Sequence, residues 1–166
     1  MRSTIRLLPL LLACVSAGAV AEEPAAPEAP VLDTRVEAAL HGAGLTFTAD
    51  GGDFRMKYTL PDGRTQLVWV ASKTATIADT EFRDVWSVAR RAPGTLPAEL
   101  AGHLLQENVR MVLGAWQVNQ GQGEYLVVFS YAIPADATAG LLQEVLEAVT
   151  ISADRMEKEL TGQDEF

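Results

Sequence analysis

"LAGHLLQENVRMVLGAWQV", Leu100 to Val118, is the stretch on which the fold turns. Pro97 just ahead of it suits the first turn of a helix, where a missing N–H removes no intrahelical bond. From there Ala101, Leu104, Leu105 and Asn108 fall on one face at helical spacing, and Glu99, His103, Gln106, Glu107 and Arg110 on the other. The helix is expected to end near Asn108, with "RMVLGAWQV" continuing as a strand. After the loop "NQGQGE", the run "YLVVFSYAIP", Tyr125 to Pro134, reads as the returning strand. A helix feeding an antiparallel hairpin points to an α+β domain.

The flanks extend this pattern. Before it, Thr34 and Glu37 have the spacing of a capping box, and Val36, Ala39, Leu40 and Ala43 line one face of a short first helix. "LTFTA" then places Leu45, Phe47 and Ala49 on one side. "FRMKYTL" sets Phe54, Met56, Tyr58 and Leu60 against Arg55, Lys57 and Thr59, so the two read as a hairpin around "DGGD". "TQLVWVAS" is a third strand, apolar at nearly every position. Glu81 to Arg90 fits both strand and helix, and the pleated form is favoured because Phe, Val and Trp suit it better. After Pro134, Asp136 is placed to cap a last helix of about six turns, with Leu142, Val145, Val149, Ala153, Met156 and Leu160 on one face and Gly162 at its end. The expected architecture is an antiparallel sheet of five to six strands with three helices, in the order α-β-β-β-(β)-α-β-β-α.

The N-terminal "MRSTIRLLPLLLACVSAGAVAEE" has a basic start at Arg2 and Arg6, a short apolar run and the small-residue site Ala19-Val20-Ala21. This is the pattern of a secretory signal peptide, too short to span a bilayer as a helix. Residues 1–21 are therefore expected to be removed, giving a periplasmic or secreted protein. The competing reading is an envelope lipoprotein acylated at Cys14 in "LLAC", and a lipid mass on that cysteine separates the two. Residues 22–32, rich in Pro, Ala and Glu, read as a disordered linker. Residues 33–162 form the domain and 163–166 a tail. Cleavage after Ala21 leaves eleven of the 13 basic residues against 22 acidic ones, a formal charge of −11 in place of −9. Such a charge disfavours nucleic acid and anionic lipid as partners, and no membrane insertion is expected after signal cleavage.

Signals for chemistry are few. Glu99, His103 and Glu107 share a helix face at the spacing of metal ligands, but nothing in the sequence supplies a converging ligand from another element. They are read as a solvated face, and His103 as dispensable. There is no nucleophile elbow, phosphate-binding glycine loop or paired-histidine zinc motif, so no catalytic residue, metal or cofactor is assigned and no enzyme is expected. Trp69, Trp86 and Trp116 are read as packing residues in strands. Asn108, at the inward end of its helix, is assigned a structural role, pairing backbone groups left free where helix gives way to strand.

The helix with Leu100, Leu104, Leu105 and Asn108 leading to a Gly114-x-Trp116 strand, the strand "YLVVFSYAIP", and "LLQEVLEAVTISADRMEKEL" with Ala153-Asp154 near its end together resemble the YbjN family. They also resemble the class I type III secretion chaperones, which share its fold. The resemblance spans roughly residues 33–161. It implies an α+β domain that commonly dimerises and binds proteins or peptides without catalysis. Secretion chaperones carry no export signal, so their effector-binding role does not transfer, and the matching positions are packing residues.

Three functions are therefore carried forward: an exported protein-binding or chaperone-like module, a lipid-anchored envelope adaptor with the same domain, and a small-molecule binder or enzyme with a site that spacing does not reveal. For the first two, the expected working surface is a second apolar side of the sheet. Val68, Val70, Met111, Leu113, Leu126 and Val128 are its proposed members, as a face for a homodimer or a partner. The competing outcome is that the first helix crosses over and buries that side.

Overall fold

A computed structural model describes residues 31–166. The expected signal peptide, Cys14 and residues 22–30 of the expected linker lie outside them. The elements are α1 (Thr34–Gly42), β1 (Thr48–Asp50), β2 (Asp53–Thr59), β3 (Thr65–Val70), β4 (Ala75–Ile77), β5 (Thr80–Pro93), α2 (Ala98–Val109), β6 (Ala115–Gly121), β7 (Glu124–Pro134) and α3 (Ala139–Thr161). The class is α+β. Seven antiparallel strands form one sheet in the order β1-β2-β3-β5-β7-β6, and β4 is the short addition, hairpinned onto β5 beyond the end of β3.

Local chemistry sets the boundaries. Asp33, rather than the expected Thr34, caps α1: its Oδ1 accepts from the backbone N–H of Arg35 at 2.8 Å. Thr138, rather than Asp136, caps α3, with Oγ1 accepting from Leu141 N–H at 3.3 Å. Gly162 ends that helix in the left-handed region, φ 65°, where a side chain would be strained. Of the segment expected to be a first strand, only Thr48–Asp50 pairs with β2. Met111, Val112 and Leu113, expected to begin a strand, form the bend between α2 and β6.

The ambiguous segment is the longest strand, β5, with 14 residues. Its mixed signal has a cause. Up to Val88 the residues pair one for one with β7; then the register steps from Val88↔Val128 to Arg90↔Val127, leaving Ala89 as an extra residue. Val85 and Ala89 join the main core, while Trp86 and Val88 belong to the other side. Gln66 supports the bulge: its buried amide donates to Val88 O at 2.6 Å and to Ser87 Oγ at 2.8 Å.

All three helices lie on one face. Val36 and Leu40 of α1, Leu104 of α2 and Leu142, Val145, Leu146, Val149 and Met156 of α3 share one cluster with Phe54, Met56, Val68, Val70, Val85, Val127 and Phe129 of the sheet. The first helix therefore does not cross over. The opposite face carries a smaller cluster, in which Trp69, Val88 and Val128 are buried and Leu67, Trp86, Leu126 and Phe166 pack against them. No helix among the described residues is long and apolar enough to cross a membrane.

Candidate functional site

The six positions assigned to one apolar face are divided by the structure. Val68 and Val70 are fully buried under the helices, and Met111 packs on that same core from the α2–β6 bend. Leu126 and Val128 lie on the opposite face, and Leu113 projects from the bend, 62% exposed. The cause is pleat direction. Trp69 pairs with Trp86 and Arg55 on the outer face, so its neighbours Val68 and Val70 must point inward. The apolar outer face exists, but its members are Leu67, Trp69, Trp86, Val88, Leu126 and Val128.

Along α2 the faces also differ from those expected. Leu104 and Glu107 are buried, while Leu105 is 67% and Val109 86% exposed. Glu107 accepts from Arg155 of α3 at 2.7 Å and from Arg110 at 2.9 Å. The Arg155 bond, more than any other contact, holds its carboxyl below the usual glutamate range despite burial. A residue 48 positions away thus makes burial of this charge possible. Val112 is 94% exposed just past the helix. Leu105, Val109, Val112 and Leu113 therefore make an apolar ridge at the C-terminal end of α2. Leu105 and Val109 are one turn apart on a single helix face.

His103 is not on an open face. Its Nε2 lies 3.1 Å from Glu159 Oε1, across from α3. Because Glu107 is directed to the two arginines, Glu99, His103 and Glu107 do not converge. Among the described residues no group of three or more His, Cys, Asp or Glu is arranged to hold a metal ion.

Asn108 bridges helix and strand. Its Oδ1 accepts from Trp116 N–H at 2.7 Å and its Nδ2 donates to Trp116 O at 3.2 Å. These are the groups that Trp116 turns away from β7, so the side-chain amide stands where another strand's backbone would. Asn108→Leu is expected to cost about 1–3 kcal/mol, since both backbone groups lose their partner. The half-exposed His103–Glu159 pair contributes little, and His103→Ala is expected to change stability by no more than about 0.5 kcal/mol. Urea midpoints of the two variants check this; equal midpoints would contradict it.

A concavity of about 980 Å³ lies between the β1–β2 turn and β4. Ile77 and Phe82 give it an apolar wall. Its polar lining is largely committed elsewhere: Asp53 accepts from Ser72 N–H, Asp84 from Ser130 Oγ, and Arg83 donates to Asp33, Ala71 O and Ala135 O. Such a cleft has walls without a converging polar set of the kind that orients a small ligand.

The sheet's outer face is partly covered by residues 162–166. Thr65 N–H donates to Asp164 Oδ1 at 3.0 Å, and Thr65 Oγ1 donates to the main-chain oxygen of Phe166 at 3.1 Å. The fully buried carboxylate of Glu157 accepts from Glu165 N–H at 2.5 Å and has Arg64 Nη2 at 3.3 Å. Burial raises its pKa, opposed by the N–H groups of Glu165 and Phe166 and by Arg64. Phe166 then lies on the apolar stripe. Beneath it Trp69 and Trp86 stack, ring centroids 4.5 Å apart and planes 6° from parallel, with Trp69 Nε1 donating to Asp50 Oδ2 at 3.0 Å. The sequence suggests a polar tail and single packing tryptophans; their meeting depends on register.

No family model and no curated protein matches this chain.

Proposed function

We propose that the chain is an exported, non-catalytic protein-binding module, chaperone-like in the manner of the YbjN and class I type III secretion chaperone families. The observation that carries this reading is the ridge of Leu105, Val109, Val112 and Leu113, four large apolar side chains each more than 60% exposed on and just after one helix. Isolated apolar residues on a surface are ordinary, but four close together mark an interface. The ridge is at one end of α2, a helix anchored to α3 through Glu107 and to β6 through Asn108. A rigid helix presenting apolar anchors suits a second copy of the same surface, since a two-fold dimer brings identical patches together. A high negative charge elsewhere on the chain discourages non-specific association.

The test is sedimentation of the wild type and of Leu105→Glu/Val109→Glu. Both side chains are largely exposed, so the double variant is expected to unfold at the wild-type urea midpoint. Its dimer dissociation constant should rise at least tenfold, about 1.4 kcal/mol. A wild type that remains monomeric at high concentration contradicts the dimer, as does an unchanged dissociation constant.

A further inference from the structure

The outer face of the sheet has an occupant of its own, and the chemistry of that occupant specifies a ligand. Phe166 fills part of the stripe formed by Leu67, Trp69, Trp86, Val88, Leu126 and Val128. Leu67, Trp86 and Leu126 stay partly exposed, so the stripe extends beyond what one phenyl ring covers. Its margin carries three cations: Arg55 is in register with Trp69, Lys57 with Leu67 and Arg91 with Leu126, which places all three on this same face of a chain with net charge −9. Arg55 pairs with Asp50 at 3.4 Å and Arg91 with Glu124 at 3.8 Å, whereas Lys57 makes no ion pair among the described residues. The segment lying there is Asp164-Glu165-Phe166, two acids and an aromatic ring. It makes no ladder: its hold consists of the Phe166 ring, the Thr65 bonds to Asp164 and Phe166, and the Glu165 N–H bond to Glu157.

We propose that this face is a docking groove for an extended acidic peptide segment bearing an aromatic side chain, and that residues 162–166 are its resident, displaceable cover. The groove is separate from the α2 ridge and does not depend on it. The apolar stripe receives the ring, Thr65 binds the peptide's acid and main chain, and Lys57, the cation of the margin without an ion-pair partner among the described residues, favours acidic sequence around the ring. A short covalent connection gives the resident segment an effective concentration in the millimolar range. Weak ligands are therefore excluded, and a partner must bind more tightly than the cover to enter.

The probe is the acetylated peptide TGQDEF, the sequence of residues 161–166. It is titrated into the full chain, into Phe166→Ala and into a variant lacking residues 162–166, with tryptophan fluorescence and calorimetry as readouts. Both variants should bind it at least tenfold more tightly than the wild type. The peptide TGQDEA should lose that binding, and Lys57→Glu in the Phe166→Ala background should weaken it. Equal titrations of wild type and Phe166→Ala overturn the proposal, as does absence of binding to either variant at millimolar peptide. Should the shortened chain fail to fold, Phe166→Ala decides alone. Loss of cooperative unfolding in Phe166→Ala itself would show that the ring is core and refute the groove.

Discussion

Gly114→Ala is expected to lower the unfolding free energy by about 2–5 kcal/mol, the sum of two costs that act together. Gly114 has φ 78°, and a methyl group added there would meet Phe129 Cζ at 2.8 Å and Ser130 O at 3.0 Å. The left-handed backbone accounts for about 1–2 kcal/mol, and forcing the Phe129 ring aside for about 1–3 kcal/mol more. Phe129 cannot move freely, because it packs against Trp116 with ring centroids 5.0 Å apart. Urea unfolding of the single variant, of Phe129→Leu and of the pair forms a double-mutant cycle. The pair should be more stable than the two single losses added together. Strict additivity would mean that the backbone alone requires glycine.

Arg83→Met should be the other severe change, at about 3–5 kcal/mol. Arg83 is 3% exposed, and its guanidinium donates to Asp33 Oδ2 at 2.8 Å, Ala71 O at 2.9 Å and Ala135 O at 3.2 Å. It thereby joins the cap of α1, the loop after β3 and the end of β7. Methionine fills the volume but leaves two carbonyls and a carboxylate without that donor. A loss below about 1 kcal/mol would show that water replaces the guanidinium without cost. The same cluster governs the response to acid. Arg35, aided by Arg83 and opposed by burial, holds the Asp33 carboxyl far below the ordinary aspartate range. A depressed folded-state pKa contributes stability above the unfolded value and loses it as pH falls towards the folded one. Glu107 acts in the same direction, whereas Glu157, raised by burial, favours the folded state as it protonates. Urea midpoints should therefore fall below about pH 4, and less steeply than Asp33 and Glu107 alone would require.

Much of the fold is legible because it rests on short-range periodicity. The alternation in β2 and the face of α3 follow from residues two, three and four apart, and Asn108 stands out as polar at an inward helical position. What is not legible depends on partners far along the chain. Glu107 is buried because Arg155 meets it, so spacing alone cannot separate the polar side of α2 from the buried one. Spacing therefore places Leu105 inside and hides the ridge. In β5, one extra residue at Ala89 reverses which parity faces the helices, blending two patterns into an apparent helix. Val68 and Val70 fall on the wrong side in sequence because a run apolar at every position carries no pleat direction of its own. Their direction is set by the pairing of Trp69 with Trp86.

The clasp of Asn108 on Trp116 bears on the soluble lifetime of the protein as well as on its stability. Strand β6 is one end of the sheet, where free N–H and C=O groups can template another molecule's strand. At Trp116 both groups are already taken by an amide that belongs to a helix and cannot extend into a ladder. The side chain thus acts as a chain terminator for sheet growth, halting strand addition at the apolar start of β6 and leaving the outward backbone groups of Val118 and Gln120 as the remaining edge. Small substitutions that free Trp116 would open a route to ordered aggregation even where the monomer still folds.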